Sequence, residues 1–184
     1  MFTGIVQAVG RIVRARPLEI EARKLGLSDV RAGDSICVQG ACLTVTRKER
    51  GNLWFDVSRA TLRVTAGLDR PGEVNLEKSL AFGDKLGGHL VAGHVDGIGI
   101  VRRCSGGLLR VKAPGPLARY IARKGSICID GVSLTVNRVR GASFEVNLIP
   151  HTLAVTTLKR LARGARVNLE VDLIARYLDR ARAG

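Results

Sequence analysis

The stretch SICVQGACLTVT, residues 35–46, decides the fold of this chain because nearly the same string returns as SICIDGVSLTVN, residues 126–137. Each copy has two short runs of β-favouring residues on either side of a glycine turn, which is the pattern of a β-hairpin. At the shared offset of 91 positions, Cys42 of the first copy matches Ser133 of the second. The chain therefore contains an internal duplication.

The repetition extends well beyond the hairpin. Three more segments of the first half recur in order in the second: IVQAVGRIV (5–13) as HVDGIGIVR (94–102), FDVSRATL (55–62) as FEVNLIPHTL (144–153) with two extra residues, and VNLEKSL (74–80) as VNLEVDL (167–173). We accordingly predict an N-terminal domain over 1–88, a C-terminal domain over 89–172 and a final helix over 173–184.

Each half has the pattern of an all-β unit. NLWFDVS and ASFEVNL alternate polar and apolar residues as half-buried strands do. Several short strands with glycine turns indicate a sandwich or a barrel, and closing a barrel removes exposed strand edges. Two segments look helical instead: PLARYIARKG (116–125) and DLIARYLDRARAG (172–184), the second with one apolar stripe that either packs on its own barrel or joins copies of the chain.

Length and composition narrow the class of protein. The chain has 184 residues, of which 46% are hydrophobic, and no apolar run approaches the roughly 20 residues of a membrane span. The N-terminus lacks the pattern of a signal peptide, so we expect a cytoplasmic protein. Its four cysteines show no CxxC spacing, and we interpret each as a small buried apolar residue.

The net charge of +14 raises the alternative of a nucleic-acid partner. However, the basic residues are scattered, and aromatic residues, which stack on single strands, make up only 4% of the chain. A solvated basic surface with attraction for anionic metabolites explains the charge better.

Few residues point to a metal or a nucleotide cofactor, and we expect neither. His89 and His94 are five positions apart in a glycine-rich connector, which is a poor spacing for joint ligation, and the phosphate-loop and complete dinucleotide motifs are missing.

The duplicated hairpin is more informative about a ligand. Cys42 with Thr44, and Ser133 with Thr135, lie at i and i+2 and share one face of a strand, where they could hold the edge of a flat heterocycle. A device built twice suits two copies of one ligand.

These motifs resemble the riboflavin synthase family over the whole chain. The resemblance is carried by MFTGIV, CLTVT, GGHLVAGHVDG, KGSICIDGVSLTVN, NLIPHTL and VNLEVDL, in order and in both halves. It implies two six-stranded Greek-key barrels and a C-terminal helix. It also implies conversion of two molecules of 6,7-dimethyl-8-ribityllumazine into riboflavin and 5-amino-6-ribitylaminouracil, without a cofactor, in a homotrimer with possible association with lumazine synthase.

The resemblance also assigns a substrate-binding set to each half. In the N-terminal half it comprises Phe2, Gly4, Ile5, Val6, Ser35, Cys42, Leu43, Thr44, Asp56, Val57, Ser58, Arg59, Ala60 and Thr61. In the C-terminal half it comprises Gly93, His94, Val95, Lys124, Ser133, Leu134, Thr135, Ile149, Pro150, His151, Thr152, Leu153 and Ala154.

Five of these residues are candidates for the chemistry. His94 is the expected base for the acidic 7-methyl group of one lumazine, and Cys42, Ser133 or water is the nucleophile at C7 of the other. Thr135 and backbone amides would stabilise negative charge, and Lys124 would add positive charge or hold the ribityl chain. A non-catalytic relative that binds lumazine or flavin as a light-emitting antenna is the alternative function.

Overall fold

The computed structural model describes residues 1–182, which form two closed six-stranded antiparallel barrels, so the predicted fold class is confirmed. The first contains β1 (Ala8–Ala15), β2 (Leu18–Glu21), β3 (Ser35–Val38), β4 (Ala41–Glu49), β5 (Asn52–Phe55) and β6 (Gly72–Lys78), with α1 (Arg59–Val64) between β5 and β6. The second contains β7 (Gly97–Ser105), β8 (Leu108–Lys112), β9 (Ser126–Ile129), β10 (Val132–Arg140), β11 (Ser143–Asn147) and β12 (Arg166–Val171), with α2 (Pro150–Val155) between β11 and β12.

The two barrels share one topology. Strands follow the order β1-β2-β5-β4-β3-β6 in the first and β7-β8-β11-β10-β9-β12 in the second. Even the irregularities recur, since the register shifts between Val45 and Arg47 in β4 and between Val136 and Arg138 in β10. The duplication in the sequence is therefore a duplication of structure.

Alternating side chains fill each barrel. In β4 the side chains of Leu43 and Val45 are buried in the first core, while Thr44 between them is exposed. Leu134 and Val136 do the same in the second core. A period of two places one face of the strand inward, which is why the hairpin sequences predicted half-buried strands.

The turns of the duplicated hairpins meet at the seam between the barrels. Gln39 and Gly40 have φ of 49° and 89°, and Asp130 and Gly131 have φ of 50° and 81°, as two-residue hairpin turns of the primed type require. A Cβ atom on Gly40 would lie 3.0 Å from the amide nitrogen of Gly131. Glycine is therefore needed both for the turn and for the close approach of the barrels.

Reciprocal hydrogen bonds continue this seam. The Asn75 side chain donates to the carbonyl oxygen of Asp130 at 2.8 Å, and the Asn168 side chain donates to the carbonyl oxygen of Gln39 at 2.8 Å. A small apolar cluster of Phe2, Cys37, Val91 and Cys128 fills the space beside them. The cysteine prediction is confirmed for Cys37 and Cys128, which are buried, whereas Cys42 and Cys104 are half-buried.

The two predicted helical segments differ. The segment 116–125, predicted to be helical, overlaps a short 3-10 helix, Gly115–Tyr120, and is not helical from Ile121 onward. The C-terminal segment forms α3 (Leu173–Arg182), and positions 183 and 184 of the prediction lie outside the described residues. No helix within 1–182 is long and apolar enough to cross a membrane.

Candidate functional site

Each hairpin has a polar shelf, the name used here for Cys42 with Thr44 in the first half and for Ser133 with Thr135 in the second. Both shelves lie on the outer side of their barrels. Cys42 is half-buried and Thr44 exposed, and Ser133 and Thr135 repeat this pattern in the second barrel. The intervening Leu43 and Leu134 point into the cores. These two leucines, which the resemblance placed in the substrate set, can therefore offer a ligand mainly their backbone.

The segment that contacts each shelf comes from the other half of the chain, an arrangement called the exchange below. The amide of Ser133 donates to the carbonyl oxygen of Gly4 at 2.8 Å, and the amide of Cys42 donates to the carbonyl oxygen of Gly93 at 2.8 Å. Our grouping of Gly4 to Val6 with the N-terminal shelf, and of Gly93 to Val95 with the C-terminal shelf, was therefore wrong. Each candidate site combines residues of both halves.

The side chains that follow confirm the exchange. Val6 packs against the core of the second barrel, and Val95 packs against that of the first. A short antiparallel bridge joins the two segments, because Phe2 and Val91 exchange backbone hydrogen bonds of 2.8 and 3.0 Å. Phe2 is fully buried there, which explains its position in the motif as structural support for the segment.

Two buried carboxylates hold the exchanged segments. Glu77 in β6 accepts the amide of Thr3 at 2.7 Å and that of Gly4 at 3.0 Å. Glu170 in β12 accepts the amides of Ala92 at 2.6 Å and Gly93 at 2.9 Å. Burial raises the pKa of Glu77 and raises the pKa of Glu170 to about 7, against the opposing effect of these amide donors.

The third predicted segment of each half follows the strand next to the shelf. Val45 pairs with Phe55, so Asp56 begins beside Thr44 and the chain continues into α1. Ser58 caps this helix by accepting the amide of Thr61 at 3.0 Å. In the second half Val136 pairs with Val146, and the two extra residues place Ile149 to Ala154 in and just before α2.

A cavity of about 570 Å³ adjoins the first of these segments. Asp56, Val57 and Arg59 line it together with the turn between β1 and β2. Cys42 and Thr44 are not among the lining residues. The cavity therefore brings together only part of the predicted N-terminal set.

A histidine that sequence reasoning set aside lies in the C-terminal site. His89 Nδ1 is 2.7 Å from Ser133 Oγ. Its Nε2 is buried with no hydrogen-bond partner among the described residues, and burial lowers the pKa of the imidazole. His94, our candidate base, is exposed, and its imidazole has no hydrogen-bond partner among residues 1–182. Only the glycine-rich motif GGHLVAGH pointed to His89, and local spacing could not pair it with Ser133.

Lys124 is the other feature peculiar to the second half. It has φ of 69°, and its amide donates to the carbonyl oxygen of Val136 at 2.7 Å, which places it at the Thr135 end of the shelf. Gly33 makes the same bond to Val45 in the first barrel, with φ of 96°. The two sites thus share a backbone design, while the second differs by Lys124 in place of Gly33 and by the hydrogen bond between His89 and Ser133.

The donor set fits an organic ligand more readily than a metal. Across residues 1–182, no three His, Cys, Asp or Glu side chains converge as a metal site requires. The shelves offer hydroxyls, a thiol and backbone groups instead. Ser35, directly opposite Thr44 in β3, adds one more hydroxyl to the first shelf.

Comparisons with known proteins agree with this doubled arrangement. A family model described as lumazine binding domain matches residues 3–79 and 92–172. A riboflavin synthase of Mycobacterium bovis is 45% identical, covering 98% of this chain and 97% of its own length, and one of Photobacterium phosphoreum is 41% identical, covering 98% and 88%. A crystal structure of LumP complexed with riboflavin superposes with a TM-score of 0.80 at 30% identity, covering 93% of this chain and 99% of its own.

Proposed function

This chain belongs to the lumazine-binding domain family and is homologous to riboflavin synthases over nearly its whole length, and from this premise we propose that it makes riboflavin from two molecules of 6,7-dimethyl-8-ribityllumazine. One lumazine passes a four-carbon unit to the other and leaves as 5-amino-6-ribitylaminouracil. The observation that carries the proposal is the pair of like sites, each an exposed Thr shelf against an exchanged glycine segment.

The shelves bind the lumazine rings by their polar edges. Backbone groups beside Leu43 and Leu134, with the hydroxyls of Thr44 and Thr135, match the alternating donors and acceptors of a pyrimidine edge. The segments Asp56 to Thr61 and Ile149 to Ala154 contact the remainder of each molecule, including its ribityl chain. Two flat substrates bound in fixed orientations have already lost much of their translational and rotational entropy, which lowers the barrier to their reaction.

The second site performs the acid–base chemistry. The Ser133 hydroxyl and the His89 imidazole form a hydrogen-bonded pair at 2.7 Å, and burial favours the neutral ring that a base requires. We assign to this pair the movement of a proton at the lumazine held by the second half. Lys124 adds positive charge nearby, while Cys42 remains the candidate nucleophile of the first site.

The assembly and its location extend the proposal. We place the reacting pair where the N-terminal barrel of one subunit meets the C-terminal barrel of another in a homotrimer, in the cytoplasm. The exposed apolar residues of α3, Ile174, Tyr177 and Leu178, support subunit contact through that helix. Association with lumazine synthase, which would supply the substrate, remains a prediction.

Turnover of the purified protein with lumazine as sole substrate tests the function. We expect riboflavin and the pyrimidine product to appear in equal amounts, one of each for every two lumazines consumed, with no added cofactor. Chromatography with absorbance detection measures both products. Stable binding of lumazine with no riboflavin would instead support the antenna alternative, whose structural counterpart is LumP complexed with riboflavin or with lumazine.

A further inference from the structure

The outer face of the second barrel carries a row of basic side chains across four strands. Register pairs Arg138 with Glu145, Glu145 with Arg110, and Arg110 with Arg103, from β10 through β11 and β8 to β7. A second row, two residues along, runs through Arg140, Ser143 and Lys112. Because residues directly opposite one another point to the same face, these seven side chains form one surface, here termed the arginine face.

The arginine face contains a cavity. Its volume is about 320 Å³, and its lining residues are Arg110, Arg138, Arg140, Ser143 and Glu145. This volume lies at the small end of the range for ligand sites. No aromatic side chain lines it, so the surface lacks the stacking platforms that single-stranded nucleic acid uses.

The duplication supplies an internal control for this charge. In the first barrel, the positions equivalent to Arg110, Lys112 and Arg140 are occupied by acidic residues. These are Glu19, Glu21 and Glu49, in that order. Both barrels fold to the same topology with opposite charges at these three positions. The barrel therefore does not require the basic residues for its structure.

Internal ion pairs leave most of this charge uncompensated. Glu145 is the only acid of the arginine face, and it accepts the Nε–H of Arg110 at 2.8 Å. Within residues 1–182, Arg138 and Arg140 take part in none of the salt bridges. Like charges on directly opposite strand positions, such as Arg103 and Arg110, disfavour the sheet, and Glu145 is the one acid of the arginine face that offsets them.

From this geometry we propose that the cavity of the arginine face binds a phosphate group, either free phosphate or the phosphomonoester of a small metabolite. Planar guanidinium groups donate pairs of parallel hydrogen bonds to phosphate oxygens, and Ser143 adds a hydroxyl donor. None of the residues that line this cavity belongs to the substrate-binding sets of the two halves, so the phosphate site is distinct from the lumazine sites.

Calorimetric titration of the full chain with inorganic phosphate and with ribose 5-phosphate, at matched ionic strength in chloride, tests the proposal. We expect saturable binding of at least one of them, weakened at least tenfold in Arg138→Gln/Arg140→Gln. The compound that binds with the lower Kd shows whether the site prefers free phosphate or a phosphomonoester. Arg163→Gln, which removes an exposed charge elsewhere, is the matched control and should bind as the parent does.

Two further readouts distinguish loss of a phosphate site from a folding defect and from general attraction of anions. Lumazine turnover and the thermal midpoint in chloride should be unchanged in the double variant, which shows that the loss is not one of folding. A DNA oligonucleotide is titrated at the same ionic strength for comparison. The proposal is overturned if neither phosphate compound binds, if Arg163→Gln weakens binding as much as the double variant does, or if the oligonucleotide binds and the two phosphate compounds do not.

Discussion

Ser133 and Cys42 occupy equivalent positions, yet among residues 1–182 only Ser133 of the two has an imidazole within hydrogen-bond distance. This histidine, His89, lies in the connector between β6 and β7, which also contains Gly93 and joins the two barrels. The duplicated design therefore yields two sites with different chemical capacity.

Replacing Ser133 by alanine should lower the turnover number by about 10- to 100-fold, because the hydroxyl that pairs with His89 is lost. Binding of lumazine should change much less, since the amide of residue 133 and its bond to Gly4 remain. Steady-state kinetics and fluorescence titration measure the two effects. Ser105→Ala, on an exposed strand end, is the control; an unchanged rate in Ser133→Ala would remove Ser133 from the chemistry.

His89→Gln and His94→Gln distinguish the two candidate bases. Because burial lowers the pKa of His89, its imidazole stays neutral to a pH below its ordinary value of 6.5. We therefore expect the acidic limb of the kcat/KM profile of the parent to lie below pH 6.5, and His89→Gln to abolish that limb with a loss of about 10- to 100-fold. A larger loss in His94→Gln would return the role of base to His94.

At the scale of elements, the glycine segments connect the barrels through contacts that exclude a side chain. Gly93 has φ of 78°, and a Cβ atom there would lie 2.6 Å from Cys42 Cβ and 2.8 Å from its amide nitrogen. Gly4 has the same relation to Ser133. The segment approaches the hairpin as closely as two backbones can.

Gly93→Ala should therefore cost more stability than backbone strain alone. Gly83→Ala is the matched control, since Gly83 also has a positive φ, of 92°, but a Cβ atom there meets nothing within 4 Å. We expect a loss of about 1 kcal/mol for Gly83→Ala and at least about 2 kcal/mol more for Gly93→Ala. Denaturant unfolding measures both free energies, and equal losses would contradict the close approach.

The buried carboxylate of Glu170 gives the seam a pH dependence. Its pKa of about 7 in the folded state exceeds its ordinary value of 4.5, because burial disfavours the charge. The folded chain thus holds the proton more tightly than the unfolded chain. This stabilisation is complete below about pH 4.5 and is lost as pH rises through about 7.

Glu170→Gln should flatten this part of the stability profile. Glu170 alone contributes at most about 3 kcal/mol to the difference between pH 5 and pH 8, at about 1.4 kcal/mol per pKa unit, and the variant should lack this contribution. Thermal or denaturant unfolding across this range measures it. Glu49→Gln, an exposed position in β4, should leave the slope as it is; an equal slope in Glu170→Gln would show that Glu170 does not titrate in this way.

At the scale of the whole molecule, one side of the helix α3 contacts its own barrel through polar side chains, and the other side is exposed to solvent. Arg176 pairs with Asp96 at 2.7 Å, and Asp179 accepts the hydroxyl of Tyr120 at 3.0 Å. Ile174, Tyr177 and Leu178 are 64%, 67% and 61% exposed on the opposite side. The interpretation that the apolar stripe packs on its own barrel was therefore wrong: polar contacts hold the helix to the barrel, and the exposed stripe is available to another subunit.

Ile174→Glu/Leu178→Glu should dissociate the proposed trimer, because charges would replace the apolar contact between helices. Sedimentation velocity should show a mass near that of one chain, and turnover should fall if the reacting lumazines come from two subunits. Arg180→Ala, beside the stripe, should keep the assembly. A double variant that keeps both its mass and its activity would exclude α3 as the subunit contact.

The sequence by itself determined the duplication, the all-β class and the shelves, because a period of two and a repeated glycine turn act within a few residues. It also indicated α3 through its apolar stripe. The segment 116–125 has a similar apolar spacing, yet it forms only a 3-10 helix. Propensity over so short a stretch is a weak determinant, which packing overrides.

Only the tertiary structure decided which segments complete each site. Gly4 bonds to Ser133 and Gly93 to Cys42, and His89 reaches Ser133 from 44 positions away. No periodicity links such residues, since closure of the barrels and the buried anchors Glu77 and Glu170 determine where the segments lie. Local patterns specify strands and turns, whereas the composition of the sites arises from contacts that exist only once both barrels have packed together.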